Sequence, residues 1–337
     1  MKRLILLLTL LVCWMPIFAG DNTENQHPSP INPNATKEAR ELLHRLYTNV
    51  DNGKIISGLH HNQLKEPNYS KDLRRIDEAS GKTPLIWGGD VAWDAEKVVE
   101  MATEHYRKGY IVTLMWHAAR PFDTGIVSFK HHTQGKITDK QWEDLITPGT
   151  EMNRLWLAQV DSISQYLRVL QERNIPVIWR PLHEMNGGWF WWGYRKGADG
   201  YQKLWRMLYE RMTIHNGLNN LLWVWNANAT QKWDVTDKMR LKDYFPGSDV
   251  VDILATDVYE NDWRQCHHDD LAALANGKLI AIGETGPLPT PQQLSAMPKF
   301  AWFMIWTSFT SDKYNSLQKI SDIFSMPNVI TYNESGK

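Results

Sequence analysis

With 337 residues, 37 basic and 38 acidic side chains and a formal charge of −1, the chain has no cationic excess for nucleic acid or an anionic membrane, and is long enough for one large domain. Its 17 tryptophans, about 5% of the residues, exceed what a core usually needs, because each buried indole must place an N–H; ligands that stack on flat rings are the natural explanation. Two cysteines, Cys13 and Cys266, make no disulfide framework and no cysteine-rich metal site.

Residues 1–19 read as a secretory signal. Lys2 and Arg3 precede an apolar stretch from Leu4 to Val12, then Pro16-Ile-Phe-Ala-Gly20, with cleavage expected after Ala19. The stretch is too short for a permanent span, and Leu10-Leu-Val-Cys13 is a poor lipoprotein box. An exported protein, periplasmic or extracellular and without a membrane anchor, is expected. Residues 20–34 are polar and contain prolines, reading as a leader or linker. Asn34, Asn68, Asn228 and Asn333 open glycosylation triplets that matter only in a host that glycosylates.

Eight short apolar runs follow, at 54–60, 83–90, 110–117, 176–184, 221–228, 251–259, 278–286 and 300–308. Amphipathic helical patterns lie between them, such as 95–107, 152–173, 200–214 and 269–275. The runs are rich in Val, Ile, Leu and Trp and do not alternate, as parallel strands covered on both faces require. Eight such units predict an α/β fold, a single-domain (β/α)8 TIM barrel over residues 35–337. An open doubly wound sheet is the runner-up, without a Gly-x-Gly-x-x-Gly turn to support it. Barrel enzymes place their chemistry at the C-terminal rim. The run ends carry His60-His61, Asp90, Trp116-His117, His183-Glu184, Asn226 and Asn228, Asp257-Val-Tyr259, Glu284 and Trp306.

The fourth run is the most informative. Val177-Ile-Trp179 delivers Arg180, His183, Glu184 and Asn186 within seven residues, and Trp189, Trp191 and Trp192 follow at once. A carboxyl group among polar donors and indole faces suits sugar chemistry: the carboxyl moves protons, the donors bind hydroxyls, the indoles stack on pyranose rings. For any one of these residues a capped loop beside core tryptophans is the plainer reading; for the cluster it is not. Glu184 ends the fourth run and Glu284 the seventh, across a narrow barrel mouth. Glycoside hydrolysis by the retaining route needs two carboxyls about 5–5.5 Å apart, and by the inverting route about 6.5–9.5 Å. Tyr259, ending the adjacent sixth run, can donate to Glu284 and keep it ionised. Apolar indoles and a facing carboxylate favour the protonated form of Glu184, as a general acid requires.

The segment from Arg180 to Gly193 resembles the acid/base segment of glycoside hydrolase family 26, a retaining family of barrels. Ile282-Gly-Glu-Thr-Gly286 is similar to its nucleophile strand, and Asp257-Val-Tyr259 to its sixth-strand tyrosine. The resemblance spans residues 40–325. It implies Glu184 as acid/base, Glu284 as nucleophile, and His183 and Tyr259 as their hydrogen-bonding neighbours. It also implies Trp189 as a wall, His117 as the histidine near the sugar at the cleavage point, and Trp306 as the indole flooring that subsite, with Trp302 in reserve. Arg180 and Asn186 complete the expected substrate-binding set. The implied activity is β-1,4-mannan, glucomannan or galactomannan hydrolysis; a monomer, without cofactor or metal, is expected. Release of mannobiose from chain ends, and β-glucanase or β-1,3-xylanase action, are the alternatives within the family.

The segment 118–147 is too long for a plain turn and is expected to shape the cleft. Trp142 and Arg120 inside it are read first as packing residues, with sugar contact as the alternative. Two readings from other classes remain: a metal-dependent hydrolase using His60, His61, His117, His183 and Asp90, and a non-catalytic carbohydrate-binding barrel, which would not need both glutamates.

Overall fold

The computed structural model describes residues 27–61, 68–123, 128–234 and 236–332. The signal segment, the leader up to residue 26 and the Asn333 triplet lie outside them. Eight parallel strands close on themselves: β1 (Ile55–His60), β2 (Ile86–Asp90), β3 (Ile111–Trp116), β4 (Val177–Pro181), β5 (Leu221–Asn228), β6 (Ile253–Val258), β7 (Leu279–Thr285) and β8 (Phe300–Ile305). Each pairs with the next, and β8 returns to β1. A two-residue strand, β9 (Val329–Ile330), pairs with β1 from outside. The fold is a single-domain (β/α)8 barrel.

Strand alternation sorts the side chains. Ile56, Ile178, Leu222, Val224, Ile253 and Ala255 point inward and form one core cluster. Their chain neighbours Ile55, Val177, Trp179, Leu221, Trp223 and Leu254 point outward, into the core between sheet and helices. The inner cluster is closed from below by α1 (Lys37–Asp51), whose Ala39, Leu42, Leu43, Leu46 and Tyr47 pack into it. Thr36 caps that helix by accepting from Ala39 N. Just before it, Ile31 N donates to Asp252 Oδ1 at 2.7 Å and Asn32 Nδ2 to Asn219 Oδ1 at 2.9 Å. The end of the leader is thus part of the packed base rather than a free linker.

The outer ring comprises α2 (Asn68–Ser80), α3 (Ala95–Arg107), α4 (Asp139–Ile146), α5 (Glu151–Glu172), α6 (Tyr201–Tyr209), α7 (Gln265–Ala275), α8 (Pro291–Ala296) and α9 (Leu317–Phe324). The helical pattern at 200–214 divides, because α6 widens into a π-helical turn at Glu210–His215. Between β5 and β6 the described residues hold only 3-10 turns, Leu241–Asp243 and Ser248–Val250. No helix among the described residues is long and apolar enough to cross a membrane.

The tryptophan excess is mostly core. Of the 16 among the described residues, twelve are buried: Trp87, Trp116, Trp142, Trp156, Trp179, Trp191, Trp192, Trp205, Trp223, Trp225, Trp263 and Trp302. That corrects the expectation that stacking ligands explain their number.

Candidate active site

The inward positions turn polar near the C-terminal ends of the strands. On β4 the inward alternation that places Ile178 also places Arg180, and on β6 Asp257 follows Ala255 and precedes Tyr259. β7 requires a further device. Ile280 and Ile282 face outward, so a regular strand would send Glu284 outward as well. Instead Thr256 pairs with Ile282 and Asp257 with Glu284, leaving Gly283 as the extra residue of a bulge that turns Glu284 inward. Gly283 must be glycine, because a Cβ there would meet Asn226 Oδ1 at 1.6 Å and Asp257 Oδ1 at 2.8 Å.

Glu184 is aimed by a strained backbone. Leu182 and Glu184 have φ of +47° and +54°, a region costing about 1–3 kcal/mol for such residues and sustained only by surrounding structure. Tyr201 donates to Leu182 O at 3.0 Å, Trp192 Nε1 to His183 O at 2.9 Å, and Glu184 N to Asn226 O at 2.8 Å. Trp192 thus holds the turn from below.

Both glutamates line one cleft of about 360 Å³, with His117, Phe129, His183, Trp189, Phe190, Trp233, Tyr259 and Trp306 among its walls. A larger cavity, about 720 Å³, lies at the base around α1 and α3 and contains neither glutamate. The catalytic chemistry points to the smaller one. Glu284 Oε1 accepts from Arg180 Nη2 at 2.6 Å, and Oε2 accepts from the Tyr259 hydroxyl at 2.6 Å. His183 Nε2 lies 3.5 Å from Oε1. Glu184 Oε2 accepts from Trp189 Nε1 at 2.6 Å.

These surroundings set the charges. Burial, and then the charge of Glu284, push the Glu184 carboxyl up to about 8, against a smaller opposing effect of the Trp189 hydrogen bond. Burial, then Glu284, also raises Asp257 well above the carboxylate range. Burial and the neighbouring Arg180 hold His183 and His60 well below the usual imidazole value, so both are neutral. Arg180 stays charged because Glu284 and Asp257 offset its burial. Removing one partner of such a buried pair costs about 3–5 kcal/mol.

Beside this core, His117 Nδ1 donates to Asp90 Oδ2 at 2.6 Å, which sets the tautomer. The His117 ring packs against Trp93, Phe129, His183 and Phe190. Trp306 closes the other wall, 5.1 Å from the His60 ring. His183, Asp257 and Glu284 could each offer a ligand atom within 4.8 Å of the others, but the Arg180 guanidinium sits 2.6 Å from Glu284 and 3.6 Å from Asp257. It supplies the positive charge that a metal would bring.

Not every expected sugar contact reaches the cleft. Arg180 is 2% exposed and engaged with Glu284, so it acts on the glutamate. Asn186 is fully buried: its amide donates to Asn228 O and Met239 O, and its oxygen accepts from Asn228 N. Trp302 lies in the inner core cluster, below Met304 on the way to Trp306. Trp191 and Trp192 are buried, their N–H groups spent on Ala118 O and His183 O. In the 118–147 segment, Arg120 pairs with Asp123 and buried Trp142 donates to Asp199 O. Asn228 is 3% exposed, which closes that triplet to glycosylation.

Sequence reasoning missed Trp93, Phe129, Phe190, Gln231, Trp233 and Glu260. Phe190 lay inside the motif and Phe129 inside the long segment, and Trp233 is a lone indole in a polar stretch; each offered a signal.

A family model described as glycosyl hydrolase family 26 matches residues 31–334. A mannan endo-1,4-beta-mannosidase of Thermothelomyces thermophilus is 32% identical over 324 residues, 90% of this chain and 62% of that protein. The chain spans 52% of a similar enzyme from Piromyces sp., at 30% identity over 95% of its own length. Among solved structures, GH26A from Muricauda sp. superposes with a TM-score of 0.85 at 43% identity, covering 91% of this chain and 100% of that one. A GH26-CBM35 beta-(1,4)-mannanase of Podospora anserina gives 0.75 at 32% identity, covering 94% of this chain and 70% of that one.

Proposed function

The chain belongs to glycosyl hydrolase family 26, and from that premise we propose that it is an endo-acting β-1,4-mannanase working by double displacement. One observation carries the reading: two glutamates in one cleft are given opposite surroundings. Glu284 is held by the Arg180 guanidinium and the Tyr259 hydroxyl, whereas burial and its neighbour keep Glu184 protonated at neutral pH.

In the first step a Glu284 oxygen bonds to the anomeric carbon as the bond to the departing sugar oxygen breaks. The Glu184 proton passes to that oxygen, leaving a glycosyl ester on Glu284. In the second step Glu184, now a carboxylate, takes a proton from water. The water oxygen bonds to the same carbon, the ester bond breaks, and Glu284 is regenerated. Arg180 and Tyr259 take up charge returned to Glu284, and Trp306 offers a flat face to the flattened ring of the transition state.

Mannan as substrate is supported by the names of the relatives from Thermothelomyces thermophilus and Piromyces sp. and by a β-mannanase from a symbiotic protist of a termite, solved with a gluco-manno-oligosaccharide, 28% identical at a TM-score of 0.77. Export is supported by the basic, then apolar, then Pro16-to-Ala19 pattern. The product profile on linear mannohexaose and on galactomannan tests the activity. A spread of internal cleavage products supports it, mannobiose alone would make the enzyme exo-acting, and no cleavage of either would reject it.

A further inference from the structure

Among the described tryptophans, twelve are buried and four are not. Three of the four are accounted for by the cleavage point: Trp189 bonds to Glu184, Trp93 packs on His117, and Trp306 packs on His60. The fourth, Trp233, is 58% exposed and lines the same cleft, with Gln231 and the exposed Glu260 beside it.

The loop that carries Trp233 is built to hold it still. Asn186, fully buried behind the catalytic turn, ties down both ends through Asn228 and Met239. Asp234, next to the indole, accepts from Lys238 N at 3.0 Å and Met239 N at 2.6 Å. From the neighbouring loop after β6, Asp262 pairs with Lys232 at 3.1 Å and Arg264 donates to Thr230 O. The anchored loop presents the indole as a flat apolar face on the wall of the cleft that holds both glutamates.

Position assigns the side of the cleft. Glu184 follows β4 and delivers its proton towards the departing sugar. Trp233 follows β5, the strand beside β4, and Glu260 follows β6. His60 ends β1 and Trp306 follows β8, across the mouth. We propose that Trp233, Gln231 and Glu260 form a subsite for a mannosyl unit of the departing chain. The indole stacks on the apolar face of the sugar ring, while the amide and carboxylate meet its hydroxyls. This rests on the mannanase reading, and it adds that substrate length on the leaving side is sensed by the loops after β5 and β6.

The test compares Trp233→Ala and Trp233→Phe with the native protein on mannohexaose and on an aryl β-mannobioside, which carries no mannosyl unit on the leaving side. For the alanine variant the ratio of kcat/KM on mannohexaose to that on the aryl substrate should fall about tenfold, and phenylalanine should recover part of it. Cleavage of end-labelled mannopentaose should shift towards bonds with fewer units on the leaving side, and transfer to added mannotriose should weaken. An unaltered ratio and cleavage pattern, or an equal loss on both substrates, would overturn the subsite. Native protein that cleaves neither substrate would instead overturn the activity on which the subsite rests.

Discussion

Glu284 receives a guanidinium and a phenol, each at 2.6 Å, while Glu184 receives an indole N–H at the same distance and is otherwise exposed to the field of its partner. Under the proposed double displacement the acid form of Glu184 is the working form, so kcat/KM should fall as pH rises through about 8, where that proton leaves. The Trp189 bond favours the carboxylate, so Trp189→Phe should move this alkaline limb to higher pH; a shift to lower pH would mean that the bond does not act on the charge. Replacing the glutamates separates their roles. With an activated aryl mannoside and azide, Glu184→Ala should release β-mannosyl azide, because the ester still forms and azide needs no base. Glu284→Ala should yield only the α anomer, by direct displacement. Products the other way round would exchange the roles. At this scale the sequence made the pair and the Tyr259 contact legible, because they lie on strand ends. It did not reveal that Arg180 and Asn186 serve other protein groups, since a polar residue near a site looks the same whether it faces sugar or backbone.

At the scale of elements, the orientation of Glu284 depends on a single extra residue in β7. Gly283→Ala would drive a methyl group into Asn226 and Asp257. Overpacking of this kind costs about 1–3 kcal/mol, and here the relaxation should also rotate Glu284. Thermal unfolding should show a modest loss and kcat/KM at least a tenfold one (about 1.4 kcal/mol); a variant of lowered stability with native activity would show that the bulge does not aim the carboxylate. All eight strands were legible as apolar runs, because a parallel strand buried on both faces has few other sequences open to it. The bulge was not legible, since one glycine in a strand has several explanations. Nor was the absence of an α-helix among the described residues between β5 and β6, because 3-10 turns carry no long period. The run at 176–184 overreached for a related reason: Pro181 and the left-handed Leu182 end β4 while the sequence still looks apolar.

The whole molecule divides into a base that holds and a rim that reacts. At the base, Asp252 binds Ile31 N and Trp223 N with its two oxygens, joining the segment before α1 to the barrel. Burial, against these bonds, raises its pKa from 3.8 to about 6. A raised carboxyl in the folded state contributes stability that is fully present below the unfolded value and lost as pH rises through the folded one, here on the order of 3 kcal/mol. The stability difference between the native protein and Asp252→Ala should therefore be largest near pH 4 and shrink as pH passes 6; a difference that grows over this range would contradict the assignment. At the rim, the central claim is that Glu184 and Glu284 act as a retaining pair. Proton NMR of the intact protein cleaving linear mannopentaose reads this directly, from the anomer that appears before mutarotation. New reducing ends should be first β and only later a mixture, whereas α anomers appearing first would rule out a retaining pair.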